Sequence, residues 1–161
     1  NPGHLGVEKI VCDSDEYLTD LGLQQARSIP AGSVMVTCIS GSLSNIGKIS
    51  IAGKTLSTNQ QINSLVPSDC IQSVFLYYAM HGLKPYLHEL ASSTNQNILN
   101  KSKLSAVPIA FPNLAEQQII ASELDDKLAE VKLAEESIQQ ELDTIEAMPT
   151  ALLRKAFSGE L

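Results

Sequence analysis

The fold of this chain is decided by residues 114–161, which read LAEQQIIASELDDKLAEVKLAEESIQQELDTIEAMPTALLRKAFSGEL. Apolar residues recur here at steps of four and three, the a/d spacing of a coiled-coil helix. The seam residues are Leu124, Leu128, Val131, Ile138, Leu142, Ile145 and Leu152. A helix over residues 115–157 is about 64 Å long at 1.5 Å per residue, too long to be covered by one small domain. Most of the seam therefore needs a partner, and we predict antiparallel pairing with an equivalent helix or a second copy.

The register of this seam includes less typical residues. It assigns Gln117 and Ala121 to the seam before Leu124, and it is interrupted at Glu135 and Pro149. Proline removes one backbone hydrogen bond and crowds the preceding turn, which predicts a kink or a break just before Pro149. The plainer alternative is a terminal helix folded back on its own domain, but that arrangement suits a helix of three or four turns.

The rest of the chain has the length of one ordinary domain. The chain has 161 residues, 43% of them hydrophobic, and setting the helix aside leaves about 113 residues for a single core. We predict a domain at 1–113 and a helix at 114–161. No apolar run is long enough to span a membrane, and the three cysteines lack CxxC spacing. These features predict a cytoplasmic protein without a zinc site or disulfides, and the start at Asn1 predicts a piece of a longer chain.

The net charge of −7 is concentrated in the helix. Residues 114–161 contain four basic and eleven acidic residues, so residues 1–113 sum to zero. Within the domain, residues 1–26 carry −4 and residues 27–113 carry +4. One part of the domain can therefore face phosphates, although composition alone favours an ordinary solvated surface.

The domain is predicted to be mixed α/β (α+β), with a mixed sheet and short helices. Three segments have the β-branched or alternating pattern of strands, and a last strand with two prolines is expected at a sheet edge. These strands are residues 33–39, 46–51, 61–66 and 104–111. Helices are predicted from Ser68 or Asp69 to about Met80 and over residues 84–90. The polar loops 40–45 and 53–60 are expected to leave the same edge of the sheet.

No catalytic constellation is present in the sequence. The three histidines are scattered, no Gly-rich phosphate loop with a following Lys and Ser/Thr occurs, and Gly41-Ser42 lacks the context of a nucleophile elbow. His88 and Glu89 are adjacent, so on a helix their side chains point in different directions and surface positions are expected. We predict no enzyme activity, no cofactor and no metal site.

Six short motifs follow one another along the chain. They are residues 29–36 (IPAGSVMV), 46–49 (IGKI), 58–60 (TNQ), 75–78 (FLYY), 93–98 (STNQNI) and 108–117 (PIAFPNLAEQ). In this order, and followed by a long helix that ends LLRKAFSGEL at residues 152–161, they resemble the specificity subunits of type I restriction-modification systems. The resemblance implies a target recognition domain that reads one half of a split site in double-stranded DNA. It also implies a conserved helix that spaces this domain from its twin and docks the methyltransferase subunits, with the restriction subunit as an indirect partner.

The chain also departs from that family. A whole subunit has two recognition domains and two conserved helices, whereas this chain has one of each and is expected to lack the usual opening strand segment. It resembles the C-terminal half of such a subunit, or a natural half-size version. The resemblance supplies no catalytic residues, because methylation and cleavage belong to other subunits and the Asn-Pro-Pro-Tyr tetrad of methyltransferases is absent.

The candidate DNA-binding residues lie in three polar loops, 40–48, 54–60 and 92–103. They are Lys48, Lys54, Thr58, Asn59, Gln60, Ser93, Thr94, Asn95, Gln96, Asn97, Lys101 and Lys103. The four lysines are expected to contact phosphates, and Thr94, Asn95 and Gln96 are expected to read bases, since amide side chains can bond adenine bidentately. For any single Asn, Ser or Thr the alternative role is to shape or cap a turn.

Two function classes remain open. The first is a DNA-sequence reader that directs a modification and restriction complex, and the second is a coiled-coil adaptor whose domain binds protein instead of DNA. Clustering of the four lysines on one face favours the reader, and scattering favours the adaptor. The acidic helix is expected to avoid DNA and to present a docking surface to methyltransferase subunits.

Overall fold

The computed structural model describes residues 1–92 and 97–159. It divides into two compact units, Asn1–Ala121 and Ser122–Leu161. The first unit contains the sheet, the short helices and the start of the long helix. The first two turns of that helix therefore group with the domain that precedes them, eight residues beyond the predicted boundary at residue 113.

The main sheet has four strands, and those from β3 onward come from the predicted strand segments. The six strands of the first unit are β1 (Ile10–Val11), β2 (Ser28–Ile29), β3 (Val34–Thr37), β4 (Ile49–Ala52), β5 (Leu56–Ser57) and β6 (Ile62–Leu65). The order in the main sheet is β1-β4-β3-β6, and β2 and β5 form a separate pair. β3 is antiparallel to β4 and β6, whereas β1 is parallel to β4. The prediction of a mixed sheet is confirmed.

The connection from β4 to β6 corrects the prediction that loops 40–45 and 53–60 leave the same edge. β4 and β6 both run antiparallel to β3 from opposite sides, so the chain must cross the length of the sheet between them. Loop 40–45 lies at the end of the sheet where β4 begins, whereas the connection to β6 leaves from the other end of β4. This connection reaches the end of the sheet that carries loop 40–45 only at Gln61, just before β6. Gly53 begins this crossing, and an added Cβ there would meet the Ile10 side chain at 2.8 Å.

Before residue 114 the helices differ from the predicted ones in their bounds, and one further helix is present at Lys101–Ser105. They are α1 (Asp20–Gln25), α2 (Ser73–Gly82), α3 (Lys84–Ser92), α4 (Lys101–Ser105) and α5 (Leu114–Ser158). α2 begins four residues after Asp69, and neither Ser68 nor Asp69 caps it; its N-cap residue is Gln72.

The predicted last strand, 104–111, is absent from the described structure. Asn100 starts α4 instead, because its side-chain oxygen accepts from the Lys103 N–H at 2.9 Å. Pro108 and Pro112 have no N–H to donate to a sheet, and the chain between α4 and α5 has no regular structure. The capping asparagine and the prolines explain why the apolar pattern did not form a strand.

The core has two clusters on the two faces of the sheet. Val34 and Val36 face the helices, where Leu76 of α2 and Leu87 of α3 are buried with them. Met35 faces the other side and is buried with other apolar side chains, including Leu5, Ile29, Ala52 and Ile62. This alternation follows the two-residue period of a strand, and it makes β3 buried on both faces.

α5 is one helix of 45 residues with Pro149 inside it. Of the predicted kink or break before Pro149, the break does not occur, because helix continues to Ser158. Within α5 only Gln117 and Ala121 are buried. No helix in the described ranges is long and apolar enough to cross a membrane.

Candidate functional site

Three chain segments are joined by backbone hydrogen bonds at one end of the main sheet. The Gln61 carbonyl oxygen accepts from the N–H groups of Cys38 and Ile39 at 2.7 and 3.3 Å. The Leu99 N–H donates to the Cys38 carbonyl at 2.8 Å, and Ile98 forms an antiparallel bridge with Ile39. We call residues 38–48, 58–61 and 97–100 the loop cluster.

The loop cluster brings together several of the predicted DNA-binding residues. Lys48 lies at this end of β4, where its carbonyl oxygen accepts from the Thr37 N–H at 2.9 Å. Thr58 and Asn59 are half-buried and Gln60 is exposed in the second segment. Asn97, with a left-handed φ of 50°, begins the third. The remaining candidates of that loop, Ser93, Thr94, Asn95 and Gln96, lie outside the described residues.

Asn59 shapes the turn that presents Gln60. Its side-chain oxygen accepts from the Gln61 N–H at 3.1 Å, and its side-chain amide donates to the Gln61 side-chain oxygen at 3.2 Å. Gln61 in turn donates to the Ile39 carbonyl at 3.4 Å. Asn59 therefore has the turn-shaping role that is the alternative to DNA binding for a single asparagine. Gln60 is the residue that remains exposed in this turn.

The structure does not bring the four candidate lysines together. Lys48 and Lys54 lie at opposite ends of β4, and the Lys54 ammonium is 3.8 Å from the Asp13 carboxylate. The pKa of Asp13 is lowered, chiefly because the Tyr17 hydroxyl donates to it, with further contributions from the Ser14 N–H and Lys54. Charge counted along the chain could not reveal this separation, because it depends on strand direction.

Lys101 and Lys103 both lie in α4, but their side chains differ. The Lys103 ammonium donates to the Leu90 carbonyl oxygen at 2.6 Å, and this bond is partly buried. Leu90 lies in the last turn of α3, where carbonyl groups lack helical partners and attract cations. Lys101 is exposed. Lys103 therefore ties α4 to α3, which leaves Lys101 as the exposed lysine of this pair.

His88 is half-buried, which corrects the expected surface position. Its Nε2 donates to the Ile46 carbonyl oxygen at 2.8 Å. Next to this contact, Gly47 is buried with a φ of 71°. The loop before Lys48 is therefore held against α3.

Cys38, in the same cluster, has a raised pKa because burial disfavours its thiolate, which makes it an unsuitable nucleophile.

An open cavity of about 720 Å³ lies between the N-terminal segment and the β4–β6 connection. Tyr17, Leu18, Met35, Lys54 and Thr58 are among its lining residues. Sequence reasoning missed this cavity because it is formed by long-range packing of residues 1–26, whose local pattern is weak. No group of three or more His, Cys, Asp or Glu residues within the described ranges can hold a metal ion.

The start of α5 is anchored by a buried polar residue that sequence reasoning assigned to the seam. Gln117 is fully buried, and its amide bonds to backbone groups of Cys70, Gln72 and Pro112. Asn113 caps the helix, since its side-chain oxygen accepts from the Glu116 N–H at 3.1 Å. The Asn113-x-x-Glu116 spacing resembles a capping box and is the sequence signal that locates this helix start.

The seam residues of the second unit are all exposed. Their exposed fractions range from 38% at Leu124 to 59% at Ile145. The a position Leu142 and the d position Ile138 are 47% and 57% exposed. Leu133 lies at an f position on the opposite side of the helix and is 67% exposed. An exposed apolar row of this kind is typical of a helix that packs against a partner.

Comparison with known proteins agrees with this architecture. The family model for the type I restriction modification DNA specificity domain matches residues 9–144. The type I restriction enzyme HindI specificity subunit of Haemophilus influenzae is 37% identical over 93 residues, which are 56% of this chain and 19% of that protein. The MjaIX specificity subunit of Methanocaldococcus jannaschii is 32% identical over 120 residues, 72% of this chain and 27% of that protein.

Solved structures show the same fold. A chain from a structure that concerns the complex assembly and conformational transition of the type I R-M system is 25% identical. Its TM-score is 0.73, over 84% of this chain and 33% of that chain. The HsdS subunit from Thermoanaerobacter tengcongensis is 26% identical, with a TM-score of 0.59 over 83% of this chain and 31% of its own. This chain thus spans about a third or less of these relatives. Since the family model covers both the sheet domain and most of α5, the chain belongs to the type I restriction-modification DNA specificity domain family.

Proposed function

We propose that this chain is a non-catalytic DNA-reading part of a type I restriction-modification complex. Its domain reads one half of a split target, and α5 spaces the domain from a second reader and docks the methyltransferase subunits. The observation that carries the proposal is the family match across residues 9–144, which includes the domain and most of the helix. Lysine clustering does not support it, because Lys48 and Lys54 lie at opposite ends of β4. By that criterion the separation of the lysines fits the adaptor alternative, but the family match to a DNA specificity domain supports the reader and carries more weight.

The loop cluster is the proposed DNA face. It combines an exposed residue, Gln60, with the left-handed Asn97, which residues 93–96 precede in the sequence. Amide groups can bond the edge of adenine bidentately, and lysines can neutralise phosphates. The contacts within the chain favour Lys48 and Lys101 as phosphate ligands over Lys54, which is near Asp13, and Lys103, which binds Leu90.

Base reading is tested by alanine substitutions at Gln60, Thr94, Asn95 and Gln96 in the assembled complex. A residue that bonds a base edge is expected to cost about 1–3 kcal/mol on the cognate half-site and much less on random DNA. Gln25→Ala, at an exposed glutamine at the end of α1, is the matched control. Equal losses on cognate and random DNA at all four positions would show that these loops position the DNA without specifying its sequence.

Phosphate contact is tested by the salt dependence of binding. Lys48→Ala and Lys101→Ala are each expected to flatten the slope of log K against log salt by about 0.9, because one counterion fewer is released. Lys54→Ala removes the same charge from the other end of β4 and is expected to change the slope less. An equal change for all three variants would assign the effect to net charge and would contradict a DNA face at the loop cluster.

Docking of the modification subunits is tested by truncation. Because Gln117 and Ala121 are buried in the first unit, the truncated chain ends at Ala121 and not at residue 113. The full chain is expected to capture the cognate modification subunit in a pull-down, and the truncated chain is expected to lose this capture. Equal capture by both chains would place the docking surface on the domain.

A further inference from the structure

Gln117 has an unusual set of contacts for a residue in a helix. Its side chain is fully buried. Its oxygen accepts from the Gln72 N–H at 2.9 Å, and its amide nitrogen donates to the carbonyls of Cys70 and Pro112 at 2.9 and 2.8 Å. Both N–H groups of the amide are thus matched by acceptors, as the burial of a polar group requires.

These contacts connect the starts of two helices. Gln72 is the N-cap residue of α2, and its own side chain makes no cap bond. The oxygen of Gln117 accepts from the Gln72 N–H, a backbone donor at the start of α2. In return, the Gln72 side-chain amide lies 3.5 Å from the Leu114 carbonyl oxygen in the first turn of α5. α2 is packed into the core by Leu76, so this link ties the first turns of α5 to the core of the domain.

The geometry leaves α5 one rotational setting at its start. The Gln117 amide is held between residues 70–72 on one side and Pro112 on the other. Ala121, one turn later on the same face, is 2% exposed. A rotation of α5 about its axis would break the three hydrogen bonds of the Gln117 side chain and bring a larger residue to the position of Ala121. From this anchored start α5 continues as one helix to Ser158.

We propose that Gln117 is a positioning residue that sets the rotational phase of α5 on the recognition domain, and thereby the spacer length between the two half-sites. This inference rests on the proposed role of α5 as the spacer. DNA turns once in about 10.5 base pairs, so adding one base pair both lengthens the spacer and rotates one half-site relative to the other. A specificity subunit in which the rotation of α5 on the recognition domain is fixed rejects such a change. One in which α5 can rotate tolerates it.

The test uses the specificity subunit that contains this chain, assembled with its modification subunits. Gln117→Met keeps the length of the side chain and removes its three hydrogen bonds. Binding and methylation are measured on split targets with the native spacer and with spacers one base pair shorter or longer. We expect the preference for the native spacer to fall about tenfold, since misplacement by about 1 Å can change a rate by up to 10²-fold. Binding to a single half-site is expected to be unchanged.

Two further variants distinguish the possible outcomes. Gln118→Met changes the exposed neighbouring glutamine and is expected to keep the native preference. One alanine inserted after Lys132 leaves Gln117 in place but rotates the rest of α5 by about 100° and is expected to shift the preferred spacer. If the insertion shifts the preference and Gln117→Met does not, Gln117 has no positioning role, while α5 is still the spacer.

The other outcomes also decide the proposal. If neither Gln117→Met nor the alanine insertion alters the spacer preference, the spacer role of α5 fails and the inference fails with it. If Gln117→Met weakens half-site binding as much as it weakens the spacer preference, Gln117 only supports the fold and the inference is overturned. Should Gln117→Met not assemble, Gln117→Asn keeps the amide with one methylene fewer, and it is measured against the same criteria.

Discussion

Leu142→Asp is expected to abolish pairing through α5. Leu142 is an a-position residue near the centre of the seam and is 47% exposed in the single chain. In a paired helix this side chain would be buried, so aspartate would lose the apolar contact and place a carboxylate in the seam. A cost of about 3 kcal/mol lowers the association constant about a hundredfold. Sedimentation equilibrium or light scattering of the chain should then change from the paired mass to the single-chain mass.

Leu133→Asp is the matched control for this prediction. Leu133 is also a leucine of α5 and is 67% exposed, but it lies at an f position opposite the seam. The same substitution there is expected to leave the mass of the pair unchanged. If Leu142→Asp has the paired mass as well, the seam is not the pairing surface. If both variants lose pairing, the added negative charge on an acidic helix is the cause and not the position on the seam.

Gly47→Val is expected to destabilise the domain by about 2–5 kcal/mol, from backbone strain and overpacking together. Gly47 is buried with a φ of 71°, a conformation that a β-branched residue adopts only under strain. A Cβ there would lie 3.4 Å from the Lys84 Cγ and 3.7 Å from the Leu87 Cδ1, so the valine methyl groups would press into α3. The loss is measured as a lower midpoint in urea unfolding at constant slope.

Gly41→Val separates this effect from a general intolerance of valine in the loop. Gly41 is six residues earlier and exposed, has no positive φ, and nothing lies within 4 Å of an added Cβ. Its variant is expected to unfold within about 0.5 kcal/mol of the parent, as most exposed substitutions do. Equal losses at both glycines would contradict the assignment of the Gly47 effect to its conformation and packing.

Apolar periodicity predicted most of the sheet and failed where a helix cap, prolines or a long-range contact competed with it. The segments 33–39, 46–51 and 61–66 became β3, β4 and β6 because their β-branched residues are buried against both core clusters. The segment 104–111 had a similar apolar pattern, but the Asn100 cap formed α4 there and two prolines withheld N–H groups. The start of α2 was also missed. Its N-cap residue is Gln72, whose N–H donates to the side chain of Gln117, 45 residues away in the sequence.

The candidate site could be predicted only in part. Its residue types were evident, since Asn, Gln, Thr and Lys are concentrated in three loops. Which of these residues remain exposed was not evident, because Asn59 bonds to Gln61 and Lys103 bonds to Leu90. These bonds depend on turn geometry and on the packing of α4 against α3. The separation of Lys48 from Lys54 depends on the direction of β4, which charge counts do not contain.

The long helix, the mixed α/β domain before it and the family could all be predicted from local sequence patterns. Periodicity of three and four residues is a local property of the chain, and so are the short motifs of the family in their order. The position of Gln117 depends on long-range packing, because periodicity assigns this residue to the seam whereas the fold buries it in the domain. The physical reason is that a buried amide requires hydrogen-bond partners, and these partners come from residues 70–72, brought to the helix by the fold.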